Sequence, residues 1–188
     1  IHADVPDDHV AISGEFFPTR RRWLNIMSTV ELGRSVGEAV VEMCATHDDL
    51  SPADIVFLCE EHEQGLEAVK VIEQAGLPVH HIFASHSMDV SRRKRRFWPD
   101  APGIKGCTVQ SYKGWESPAL VMGIGAKLHS LRLGYVAMTR LRVREGGPAT
   151  ITVVNANPAA YTFDSSFSVW ERPDIPLWAP PTLGDRRA

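Results

Sequence analysis

Apolar positions along the chain follow two periods in turn. In Arg21 to Ser28 (RRWLNIMS), Trp23, Asn25 and Met27 alternate with Leu24 and Ile26, the two-residue repeat of a strand. Val36, Ala39, Val40, Met43 and Cys44 then fall at i, i+3, i+4, i+7 and i+8, one face of a helix ending near Thr46. Ser35-Val36-Gly37-Glu38 has the form of a capping box that would start this helix. Asp54 to Cys59 (DIVFLC) is a short unbroken apolar run, which predicts a strand buried on both faces. Glu63 to Ala75 predicts a second helix with Leu66, Val69 and Ile72 inward, stopped by Gly76 at C′ and by Pro78. Further strands are predicted over Val79 to Phe83, 104–109, 119–124 and Ala149 to Val154. Leu131 to Arg140 reads as a helix and Gly146-Gly147 as a turn.

Strands alternating with helices predict an α/β fold, a parallel sheet flanked by helices. Crossovers in such a sheet are right-handed, and ligands collect at the carboxyl ends of the strands. Residues 1–20 mix Pro, Asp and Gly and read as an irregular lead-in to a body over 21–155. From 156 to 188 the composition shifts to Pro158, Pro173, Pro176, Pro180 and Pro181, with Trp170 and Trp178. This is an extended, proline-rich C-terminal tail whose tryptophans could anchor it to the body or to a partner.

At 188 residues the chain is about one domain, and 44% apolar with 23% charged residues is ordinary for a globular protein. A net charge of -3 excludes a global basic field, so any nucleic-acid contact has to come from a local patch. No stretch approaches the ~18 apolar residues of a membrane span, and His2, Asp4, Asp7 and Asp8 break up any signal peptide. Cys44, Cys59 and Cys107 are scattered and sit in apolar context. They read as buried thiols of a reducing, cytoplasmic compartment rather than as disulfide or zinc ligands. Adjacent in a strand, His80 and His81 point to opposite faces and cannot share a metal. His47, His62, His86 and His129 lack partners at metal spacing, so no metal site is predicted.

The candidate chemistry lies in TVQSYKGWESP, residues 108 to 118, between two apolar runs. A plain connector needs Gly, Pro, Asn or Asp, not a lysine and a glutamate flanking a tryptophan. About one helix further on stands Leu133-Gly134-Tyr135-Val136-Ala137-Met138-Thr139-Arg140. No Gly-x-x-x-x-Gly-Lys-Ser/Thr, Gly-x-Gly-x-x-Gly or Gly-x-Ser-x-Gly occurs, so neither a phosphate loop nor a hydrolase nucleophile is available. The pair of segments resembles motifs V and VI of superfamily 1 helicases of the UvrD/Rep/PcrA kind. There the patterns run roughly Thr-x-His-Ser-x-Lys-Gly-Leu-Glu-Phe and Leu-x-Tyr-Val-Ala-x-Thr-Arg. The resemblance covers about residues 21 to 155 and is most specific over Tyr135 to Arg140.

The resemblance implies the second, RecA-like motor domain of an ATP-dependent DNA helicase or translocase, a P-loop NTPase fold without its own P-loop. Thr108 and Gln110, with Ser111 and Lys113, would face single-stranded DNA. Glu116 would reach the nucleotide's ribose and metal-bound phosphates, and Arg140 would be the catalytic arginine on the γ-phosphate. Gly114 would supply a φ > 0 that brings the backbone close to a ligand. A guanidinium suits its task because it grips two phosphate oxygens and keeps its charge. Three positions depart from the pattern: Gln110 replaces histidine, Trp115 leucine and Ser117 phenylalanine.

About twenty residues separate Phe83 from Ile104, too few for the accessory subdomain of UvrD-like enzymes. In that connector Arg92-Arg93-Lys94-Arg95-Arg96-Phe97-Trp98 sets five cations beside two aromatics, a pattern suited to a phosphate backbone and a stacked base. Walker A and B are absent and the chain opens on Ile1. The expectation is therefore a C-terminal piece that needs an N-terminal RecA-like half to hold ATP and Mg²⁺, and that is inactive alone. The competing reading is a non-catalytic RecA-like module for nucleic-acid or protein interaction.

Overall fold

The computed structural model describes residues 19–95, 97–98, 101–127, 129–143 and 147–163. The lead-in up to residue 18, the turn residue Gly146, Arg96 and the tail from 164 onward lie outside the described residues. Among the described residues, strands β1 (Arg20–Asn25), β2 (Ile55–Cys59), β3 (Val79–His81), β4 (Ile104–Thr108), β5 (Ala119–Ile124) and β6 (Thr150–Asn155) alternate with four α-helices except between β4 and β5. These are α1 (Leu32–Thr46), α2 (His62–Gln74), α3 (Ser87–Lys94) and α4 (Ser130–Met138). The strands form one six-stranded sheet in the order β1-β6-β5-β2-β4-β3, parallel throughout. The predicted α/β fold is thus observed, and all five residues of the unbroken apolar run in β2 are buried in the middle of the sheet.

Alternation along the strands divides the core into two layers. Phe57, Val121, Ile104 and Val154 face α1 and α2, which contribute Leu32, Val36, Val40, Ala68 and Ile72. Val56, Leu58, Met122 and Val153 face the other way, against α4, Tyr112 and partly buried Phe97 and Trp115. The side-chain period of two fixes which residue goes to which layer.

Helix α2 ends as its sequence predicts. Gly76 has φ +75°, its N–H donates to the Glu73 carbonyl, and the Leu77 N–H reaches back to that of Ile72, the paired bonds of a Schellman cap. No atom stands within 4 Å of where a Cβ would be, so only backbone strain opposes a side chain there. Gly76→Ala should cost about 1 kcal/mol, read as a Tm lower by about 2–4 °C.

Two expectations about helices are corrected. α1 starts at Leu32 with Glu31 at its N-cap, and no side chain caps it, so Ser35 lies inside the helix and its capping box does not form. Tertiary packing overrides the local signal. Leu32 is fully buried, and a Cβ on Gly33 would stand 2.4 Å from the Gln64 carbonyl oxygen, so the extra turn seats α1 directly on α2. The connector after Phe83 is also not a plain loop, because Ser87–Lys94 forms α3. Its mean polarity hides the helical period that sequence reading relies on.

Candidate functional site

Residues 108 to 118 form the crossover from β4 to β5, which lie on opposite sides of β2. The segment therefore has to travel from the carboxyl rim of the sheet to its amino rim. At the carboxyl rim a turn begins: the Ser111 and Tyr112 N–H groups donate to the Thr108 carbonyl at 2.9 and 3.1 Å. The Thr108 hydroxyl donates to Ser111 Oγ at 2.9 Å. Val109 and Tyr112 point into the core, while Gln110 and Lys113 are exposed. Gly114 adopts φ +90°, in the positive region the sequence predicted for it. Its surroundings are open, with no atom within 4 Å of the point a Cβ would occupy.

Trp115 explains one departure from the helicase pattern. Its ring stacks on Phe97 at 5.2 Å and 7° and meets Tyr112 edge-on at 6.1 Å. A leucine would fill less of this aromatic seam, and the partner, Phe97, comes from the segment after α3.

At the amino rim the chain is pinned by Ser117, whose hydroxyl donates to the Asp54 carbonyl at 2.6 Å, just ahead of β2. The end of α4 arrives at the same place. The Ser117 N–H donates to the Arg140 carbonyl, and the Arg142 N–H to the Ser117 carbonyl, both at 3.0 Å. Position 116 is exposed, whereas Arg140 is half-buried, and its Nε is buried without a hydrogen-bond partner among the described residues. The Tyr112 hydroxyl is buried nearby, and burial pushes its pKa well above the ordinary phenol range. Glu116 and Arg140 thus share the amino rim, and Thr108 and Gln110 stand at the carboxyl rim. Only the first half of the segment sits at the carboxyl ends of the strands, where ligands collect in such sheets.

The basic run is divided by α3. Arg92, Lys94 and Arg95 are exposed, but Arg93 turns onto the β3 edge, its Nη1 lying 2.7 and 3.0 Å from the two ring nitrogens of His81. Arg96 lies outside the described residues. Burial first, and then the Arg93 charge, hold His81 down at about 4. Its folded pKa is below the ordinary 6.5, so the unfolded chain binds the extra proton in that window. The stabilising contribution is complete above about pH 6.5 and is lost as pH falls toward about 4. His81→Phe should flatten this acid limb, seen as a smaller difference in urea midpoint between about pH 7.5 and 5 than in the unmodified protein.

A cleft of about 890 Å³ opens at the carboxyl ends of β2 and β5, the usual ligand position in open α/β sheets. Its charge is wrong for phosphate. Glu60, Glu61, Glu63 and Glu67 line it, and its two lysines are taken up, Lys127 by Glu61 and Lys70 by Glu67. Glu60 serves the fold: its carboxylate accepts the Gly125 N–H at 3.1 Å and the Ser130 hydroxyl at 2.8 Å. Beside it, Asn157 donates to the Gly125 and Lys127 carbonyls, and Asn155 to Asn25. Sequence reading missed this polar network, for which isolated asparagines give no periodic signal. Among the described residues no His, Cys, Asp and Glu group could hold a metal, and no helix is long and apolar enough to cross a membrane. Cys59 and Cys107 are buried free thiols and Cys44 is half-buried; burial raises Cys107 to about 12.

No protein-family model and no curated protein matches the chain. Among solved structures, the C-terminal domain of a possible DNA helicase from Lactobacillus plantarum WCFS1 is similar over 77% of this chain and 80% of its own, with 12% identity and TM-score 0.48. The E. coli DEAD-box protein SrmB, in complex with regulator of ribonuclease activity A, is similar over 77% of this chain and 81% of its own, at 10% identity and TM-score 0.45. The C-terminal part of the Fun30 ATPase domain is similar over 72% of this chain and 46% of its own, at 13% identity and TM-score 0.42.

Proposed function

We propose that this chain is the second motor domain of a UvrD-like, superfamily 1, ATP-dependent DNA helicase or translocase. One observation carries the reading: the segments resembling motifs V and VI, remote in sequence, are joined through the Ser117–Arg140 backbone bonds. That junction leaves a carboxylate and a partly unpaired guanidinium on one rim.

The residue types fit a nucleotide held by a neighbouring half. Exposed Glu116 can accept a hydrogen bond from a ribose hydroxyl, and the open turn at Gly114 admits a ligand against the backbone. The guanidinium fork of half-buried Arg140 can donate to γ-phosphate oxygens. ATP with Mg²⁺ supplies the phosphoryl chemistry; the part of this chain is to position and neutralise charge. Thr108, Gln110, Ser111 and Lys113 at the other rim, with the cations of α3, would hold DNA. A crossover spanning both rims could then pass motion between nucleotide and strand. The acid-lined cleft disfavours a rival in which this chain binds a phosphate ligand at its own carboxyl rim.

The test joins this chain to a P-loop-bearing RecA-like half of the same protein. The joined protein should hydrolyse ATP in response to single-stranded DNA, and this chain alone should not. Helicase-like turnover by the chain alone, or a joined protein indifferent to DNA, would refute the proposal.

A further inference from the structure

The basic run is not a uniform patch. The fold uses Arg93 on His81, leaving Arg92, Lys94 and Arg95 exposed and without an ion pair among the described residues. The single acid of α3, Asp89, lies one turn before Arg92 and makes no ion pair with it among the described residues. Arg92 and Arg95, three apart, share one side of the helix with Met88. With Ser91 these residues line an open recess of about 460 Å³. Just beyond the helix Trp98 is 62% exposed, and Met88 is 82% exposed. The neighbouring Phe97 is held by its stack on Trp115, so the backbone is anchored where the indole stands out.

Unneutralised cations select a polyanion. Trp98, three residues beyond Arg95, adds an exposed indole on which a flat apolar face can stack, and the bases of a nucleic acid offer such faces. A duplex keeps its bases stacked on one another, whereas a single strand can lay a base on the ring. We infer that the outer face of α3 is a single-stranded DNA site, with Arg92 and Arg95 on successive phosphates and Trp98 stacked against a base. The choice of DNA rests on the function proposed above, but the binding needs no nucleotide.

The test is fluorescence anisotropy of the whole chain with a labelled oligo-dT of about 15 nucleotides at two salt concentrations. Binding should weaken with salt, and Arg92→Ala with Arg95→Ala should flatten the log–log slope by about 1.4, at 0.7 per phosphate released. Trp98→Ala should weaken oligo-dT binding at least about fivefold, Trp98→Phe should restore most of it, and duplex binding should be unchanged by either. Arg93→Ala should leave the slope as it is. Equal losses on duplex and single strand, or no loss with Trp98→Ala, would overturn the assignment. So would Arg92- and Arg95-dependent capture by phosphatidylserine vesicles with no binding of oligo-dT. Trp98 is exposed, so its variants should keep the native urea midpoint. A chain that binds oligo-dT in this way while the joined motor lacks ATPase would sink the motor reading and leave this site standing.

Discussion

Arg140→Ala in the joined motor should lower kcat about 10³-fold or more, with KM for ATP changed far less. The reason is where the charge acts. Negative charge on the transferring phosphoryl group spreads over its oxygens in the transition state, and an arginine reaching it across a cleft is worth about 10³–10⁵ in rate. About 10³ corresponds to roughly 4 kcal/mol of barrier. Arg140→Lys should recover little, since an ammonium is a point charge without the planar fork. The fold should survive. Arg140 is half-buried and its Nε has no hydrogen bond to lose among the described residues, while the bonds joining it to Ser117 are made by backbone that alanine retains. Steady-state ATPase with saturating oligo-dT, alongside urea midpoints, separates the two effects. A kcat within about threefold of the unmodified motor would remove Arg140 from the chemistry and favour the non-catalytic module.

Phe57→Ala should destabilise the chain by about 3–5 kcal/mol, a large share of the roughly 5–15 kcal/mol typical of a domain. Phe57 sits at the centre of β2 with no exposed surface. Its ring lies 5.6 Å from that of Phe83. The space was made from the other side by two glycines. A Cβ on Gly106, the register partner of Phe57 in β4, would meet its Cζ at 2.2 Å. A Cβ on Gly65 of α2 would meet Phe83 Cδ1 at 2.2 Å. Removing the ring leaves a cavity that rigid β2 and β4 cannot close. Gly106→Ala should fail for the opposite reason, overpacking by about 1–3 kcal/mol. Chemical unfolding of both variants checks the pair, and a Phe57→Ala loss below about 1 kcal/mol would mean the core collapses around the gap.

Some elements were legible because their signal is local. The unbroken apolar run 55–59, the stop at Gly76 and Pro78, and the positive φ at Gly114 each depend on a few adjacent residues, and each appears where the residues predict it. The failures were those in which a distant partner decided. Ser35 has the chemistry of a cap, but burial of Leu32 against α2 moves the helix start past it. Trp115 looked like a departure from a motif until Phe97 was found stacked on it. The basic run read as five equivalent cations, and only His81 on the β3 edge distinguishes Arg93 from its neighbours.

Period and punctuation in the sequence determined the class of fold, the strands and most helices, because backbone preference and one-sided burial act over a few residues at a time. They also placed polar chemistry in residues 108 to 118. Which rim each end of that segment reaches was decided by the strand order β4-β2-β5, and its neighbour Arg140 by the return of α4 to the amino rim. Strand order is a property of long-range pairing, set by how the two core layers close around β2. No short window of sequence contains it.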